Sequence, residues 1–111
     1  GSNMALRASA WREIREEACH DPADELHEDV DLSLHLHAHG LKIAYSSEMV
    51  TGMSARRLDD SPLEFYGYVM RFERTYQKHN IRRLSVRAPM AIFLSAYPAL
   101  KVMREVTQLQ R

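Results

Sequence analysis

Three carboxylates, Glu28, Asp29 and Asp31, fall within four residues of one another, directly after His27. Carboxylates so crowded repel, so one of them keeps its proton more tightly, or the group draws in a cation or a hydroxyl. A carboxylate with a moderately raised pKa is a usable general base. Taken alone, the cluster is equally what a solvated helix start looks like. A few residues on, His35, His37 and His39 alternate with Leu36 and Ala38. On a strand the three imidazoles would share one face. On a helix only His35 and His39, four apart, can converge. Those two with Asp31 could hold zinc or nickel adventitiously, but no resident metal is expected there. Arg56 and Arg57 form the other chemically suggestive pair. Guanidinium groups match phosphate oxygens in a bidentate way, although Asp59 and Asp60 could pair with them instead. Cys19, the single cysteine, excludes an intramolecular disulfide and points to a reducing compartment. It is expected to be a small buried hydrophobe rather than a nucleophile.

The elements that would carry these groups are mostly helical. Residues 3–7 suit a short strand or an extended lead-in. Ser9 sits where a helix N-cap belongs, and Trp11, Ile14 and Ala18 follow at helical spacing. The Asp-Pro in residues 20–25 marks a loop. Residues 30–38 are ambiguous. Val30, Leu32, Leu34, Leu36 and Ala38 alternate with polar residues, as in a half-buried strand. Yet leucine favours helices, Asp29 and Asp31 suit a helix N-terminus, and Gly40 suits a helix stop. Residues 42–45 read as a short strand. Pro62 can open a long helix with Phe65, Tyr68, Val69, Phe72 and Tyr76 on its apolar stripe, and Asn80 can end it. A last helical region, 85–109, carries Pro89 and Pro98 and is expected to be kinked or split.

The chain has 111 residues, an ordinary apolar share of 45% and a formal net charge of zero. Its length suits one domain and is small for a catalyst with two substrates. No stretch approaches the roughly 20 apolar residues that cross a bilayer, and no signal peptide is recognised. The charge is uneven: acids dominate residues 13–31 and bases dominate from Arg71 onward. The two faces could simply attract each other, or mark an acidic reaction centre and a basic tail that meets phosphate or anionic lipid.

Four pieces in order resemble the second half of the family 2 inverting glycosyltransferases. These are Gly1-Ser2-Asn3-Met4-Ala5-Leu6-Arg7, then Glu28-Asp29-Val30-Asp31-Leu32-Ser33-Leu34, then Gly40-Leu41-Lys42-Ile43-Ala44-Tyr45, then Arg56-Arg57. The resemblance implies that residues 30–38 are a helix. It implies a helix-dominated α+β fold, the C-terminal portion of the GT-A nucleotide-diphospho-sugar transferase fold, with about four helices and one or two short strands. Residues 1–80 would be the acceptor-side part of the catalytic domain, and 81–111 a basic, amphipathic helical tail.

By the same resemblance the whole enzyme moves a hexose-like sugar from a nucleotide-diphospho-sugar to an acceptor hydroxyl, on a saccharide or a lipid-linked molecule, with inversion. Asp29 would be the catalytic base and Glu28 its orienting neighbour. Asn3, Arg56 and Arg57 would face substrate. Asp31 is placed with them as substrate-facing, or caps the helix or holds an arginine. A divalent cation, Mg or Mn, is expected in the full-length enzyme through an Asp-x-Asp motif of the donor-binding half, not through Asp29-Val30-Asp31. By itself this stretch is expected to be inactive, cofactor-free, self-associating and without affinity for nucleic acid. The expected location is the cytoplasm, at the inner face of the membrane, with Arg82, Arg83 and Arg87 ahead of Met90, Ile92, Phe93, Leu94 and Tyr97 as the contact. The alternatives are a small helical interaction or regulatory module with a basic tail, and a His/Asp metal-binding module.

Overall fold

The computed structural model describes residues 3–52 and 54–111. The first two residues of the Gly-x-Asn stretch, Gly1 and Ser2, and also Met53, lie outside the described residues. Among those described there are four α-helices, α1 (Ala8–Ile14), α2 (Glu28–Ala38), α3 (Pro62–Lys78) and α4 (Ala88–Leu109), with 3-10 turns at Ala55–Leu58 and Leu84–Arg87. The fold is helix-dominated as expected, but no strand forms among the described residues. The expected strand at 42–45 is irregular chain, with Ile43 and Tyr45 exposed. A strand is made by pairing, and no described segment offers these residues an edge. The chain divides into two compact units, Gly1–Met53 and Ser54–Arg111. The break therefore precedes α3, and α3 and α4 belong to one unit.

In the first unit, α1 begins one residue before Ser9. Arg7 occupies the N-cap position and supplies no side-chain cap, so Ser9 lies inside the helix. Ile14 and Ala18 turn inward and pack with Leu36, flanked by Ala10, Leu32 and Leu41. Leu32 and Leu36 are four apart, and this spacing decides the ambiguous segment in favour of a helix. Its end is built for stopping. Gly40 adopts φ +72, its N–H meets the His37 carbonyl at 3.0 Å, and the Leu41 N–H meets the Leu36 carbonyl at 2.9 Å. That is the Schellman pattern, completed by the apolar contact of Leu41.

The second unit opens with a full capping box. The Ser61 hydroxyl accepts from the Glu64 N–H at 3.3 Å, and the Glu64 carboxylate accepts from the Ser61 N–H at 2.8 Å, with Pro62 in the first turn. Phe65 and Val69 of α3 pack on Met90 and Tyr97 of α4, with Leu58, Met70, Phe72, Tyr76 and Leu94 around them. The Phe65 and Tyr97 rings stack with centroids 4.2 Å apart. Asn80 stops α3 as Gly40 stops α2, with φ +55 and the same two carbonyl contacts, to Gln77 and Tyr76. Pro98 lies inside α4, which runs unbroken for 22 residues instead of splitting. No described helix is long and apolar enough to cross a membrane.

Candidate functional site

Helix α2 sets the directions of the three carboxylates. Each residue turns the helix by about 100°, so Asp29 and Asp31 leave it about 200° apart. Glu28 is exposed, Asp29 is half-buried and Asp31 is buried at 1% exposure. Asp29 stays at the first turn, where its carboxylate accepts from the Val30 N–H at 2.9 Å. The backbone beneath it is tied down by Ser33, whose hydroxyl donates to the Asp29 carbonyl at 2.8 Å.

Asp31 points the other way. Its Oδ2 accepts from the Cys19 N–H at 2.9 Å, and its Oδ1 lies 3.6 Å from His35 Nε2. Cys19 holds a left-handed backbone, φ +60, so its N–H serves the turn that brings α1 back to α2. Asp31 is thus turned inward, at 1% exposure, and ties α2 to the turn at Cys19. It anchors α2, an inward direction that the alternating pattern could not phase.

Asn3 is placed by its side chain, whose Nδ2 donates to the Met49 carbonyl at 2.6 Å. Arg56 and Arg57 lie in the second unit, in the 3-10 turn Ala55–Leu58, and both are exposed. Arg57 spans Asp60, at 3.4 Å, and the face of Tyr68, at 4.2 Å. Cys19 is exposed, against the expectation of burial, because the chain turns at that residue. Of the basic tail, Arg87 is committed to Glu73 by two bonds of 2.6 and 2.9 Å, and Met90, Leu94 and Tyr97 join the core. Arg82, Arg83, Ile92 and Phe93 remain exposed.

A second polar group in the first unit joins α2 to the acids of residues 13–17. His39 Nδ1 is 3.3 Å from Glu13 Oε1, and His39 Nε2 is 3.2 Å from Glu17 Oε2. His35 Nδ1 is 3.6 Å from that same Glu17 oxygen. The hydrogen bond to His39 holds the Glu17 carboxyl below its ordinary value, and the same bond raises the His39 imidazole. His37 is exposed on the outer face. The sequence argument found the histidines and missed Glu13 and Glu17. The signal was there: two acids four apart facing two histidines four apart.

Family models, curated proteins and solved structures were compared with the chain, and none matches.

Proposed function

We propose that the chain is the acceptor-side part of an inverting, family 2 type glycosyltransferase. Asp29 takes the acceptor proton and Glu28 orients the acceptor. The observation that carries this is the division of labour around α2. One carboxylate, Asp31, is buried and fixes the helix, while the adjacent pair is presented at the helix's first turn. A base must be held still to act on a hydroxyl within hydrogen-bond reach, and a helix pinned by a buried carboxylate holds it so. The irregular, exposed stretch with Ile43, Tyr45 and Val50 outward also suits a segment that pairs with a sheet in a larger enzyme.

The reaction is a single displacement. As the acceptor oxygen bonds to the anomeric carbon, the bond from that carbon to the phosphate oxygen breaks. The acceptor proton passes to the Asp29 carboxylate, and the nucleoside diphosphate departs.

The test is transfer by the enzyme carrying its nucleotide-binding half. Asp29→Asn should lower turnover by at least about a hundredfold, the general-base contribution, while nucleotide-sugar binding is kept. Glu28→Gln should be milder. If Glu28→Gln abolishes transfer and Asp29→Asn is tolerated, the base is the other carboxylate. If neither matters, the transferase assignment fails.

A further inference from the structure

We propose that Glu17, His35 and His39 form a binding site for a borderline divalent transition-metal ion of the zinc type, with Glu13 and Asp31 orienting the two imidazoles. The site lies within the first unit and does not depend on the transferase proposal.

Glu17 is the shared element of the cluster, one of its carboxylate oxygens meeting a nitrogen of each imidazole. In a tetrahedral zinc site with bonds of about 2.0–2.1 Å, neighbouring ligand atoms lie about 3.3–3.4 Å apart. Glu17 Oε2 stands 3.2 Å from His39 Nε2 and 3.6 Å from His35 Nδ1. One carboxylate oxygen thus faces one nitrogen of each imidazole at ligand–ligand spacing. Final closure takes rotation of the Glu17 and His39 side chains, 55% and 26% exposed.

The outer nitrogens strengthen the case. Metal-binding histidines commonly direct their second ring nitrogen to a carboxylate, which fixes the tautomer and raises the basicity of the ligating nitrogen. Here His39 turns Nδ1 to Glu13 at 3.3 Å, while His35 Nε2 lies 3.6 Å from Asp31, an ion-pair distance longer than a hydrogen bond. Asp31 is itself held by the Cys19 N–H. Three carboxylates around two imidazoles also leave an excess of negative charge, which a divalent ion offsets. Two nitrogens and one oxygen suit zinc, copper or nickel, whereas magnesium and calcium favour oxygen alone.

The experiment is calorimetric titration of the chelator-stripped 111-residue chain with Zn2+ at neutral pH, alongside thermal unfolding. The expected result is one equivalent bound with a raised Tm, without competition from excess Mg2+. Glu13→Gln should weaken binding about 10–100-fold, the usual effect of losing such an orienting group. Glu17→Gln and His39→Ala should weaken it further. His37→Ala and Cys19→Ser should leave it unchanged. All of these positions except His39 are exposed, and His39→Gln offers a variant closer in size. With Co2+ substituted, a four-coordinate spectrum lacking a thiolate charge-transfer band is expected. Binding that survives Glu17→Gln and His39→Ala, or that vanishes in Cys19→Ser, would mean an adventitious ion only and overturns the proposal.

Discussion

The two units satisfy their polar groups on opposite terms. In Ser54–Arg111 each charge that matters has its own match. Arg87 grips Glu73. Arg104 grips Asp59 at 3.0 and 3.1 Å. Lys101 and the Tyr97 hydroxyl both donate to the Asp60 carbonyl, at 2.7 and 2.6 Å, closing the end of the turn before α3. These pairs frame a core of stacked aromatic and aliphatic side chains. In Gly1–Met53 the buried apolar set is small, Ile14, Ala18 and Leu36, and carboxylates crowd around two histidines. The lesson is that one unit is held by packing with polar groups closing its edges, while the other combines a small apolar set with the buried Asp31 and a half-exposed cluster of carboxylates and imidazoles. Such polar concentration costs stability unless every member is satisfied.

The contrast can be broken or sharpened experimentally. The largest effect should come from Phe65→Ala, which removes the ring stacked on Tyr97 and should cost about 3–5 kcal/mol. Denaturation followed by far-ultraviolet dichroism should register it, since α3 and α4 are the longest helices. The single tryptophan, Trp11 in α1, should report a much smaller shift. An equal shift at Trp11 would dissolve the distinction between the units. A smaller effect is expected for Asp31→Ala. It leaves the Cys19 N–H without this acceptor and should cost about 1–3 kcal/mol, now seen chiefly through Trp11 fluorescence. No loss there would mean that α2 is held by its leucines alone.

The smallest effect concerns acid. The hydrogen bonds from Arg87 and Arg104 depress Glu73 and Asp59 below their ordinary values of 4.5 and 3.8. A carboxylate depressed in the folded state contributes stability that is complete above its unfolded value and is lost as pH falls below it. The second unit should therefore keep its helix content down to about pH 4.5 and lose stability below it. Glu73→Gln should flatten that part of the acid profile. An unchanged profile would show that the pair contributes nothing measurable, as exposed pairs often do.

Much of the helical plan was legible in the sequence. The stripe of α3 and the stops at Gly40 and Asn80 depend on local rules, namely 3.6-residue periodicity and a left-handed backbone, and they stand as expected. The alternation in residues 30–38 misled because Leu32 and Leu36 satisfy a helix as well as a strand. Pro98 did not break α4, and its position is exposed, where the freed carbonyl can meet water. The strand at 42–45 failed for a different reason, since pairing is not a property of one segment. At the candidate site Glu28 and Asp29 were visible as a motif, but the inward turn of Asp31 needed the helix phase. Glu13 and Glu17 escaped because their partner His39 lies 26 and 22 residues away in the chain, a separation that no local pattern spans.

The hydrogen bond from the Cys19 amide to Asp31 has a practical consequence. The chain's only thiol belongs to the same residue, exposed to solvent, with its sulfur 3.9 Å from the Glu28 carbonyl at the start of α2. A single maleimide dye or spin label could therefore be attached, without engineering, beside the first turn of that helix. Its mobility would follow the docking of α2 in real time, read from the residue that ties the two helices together.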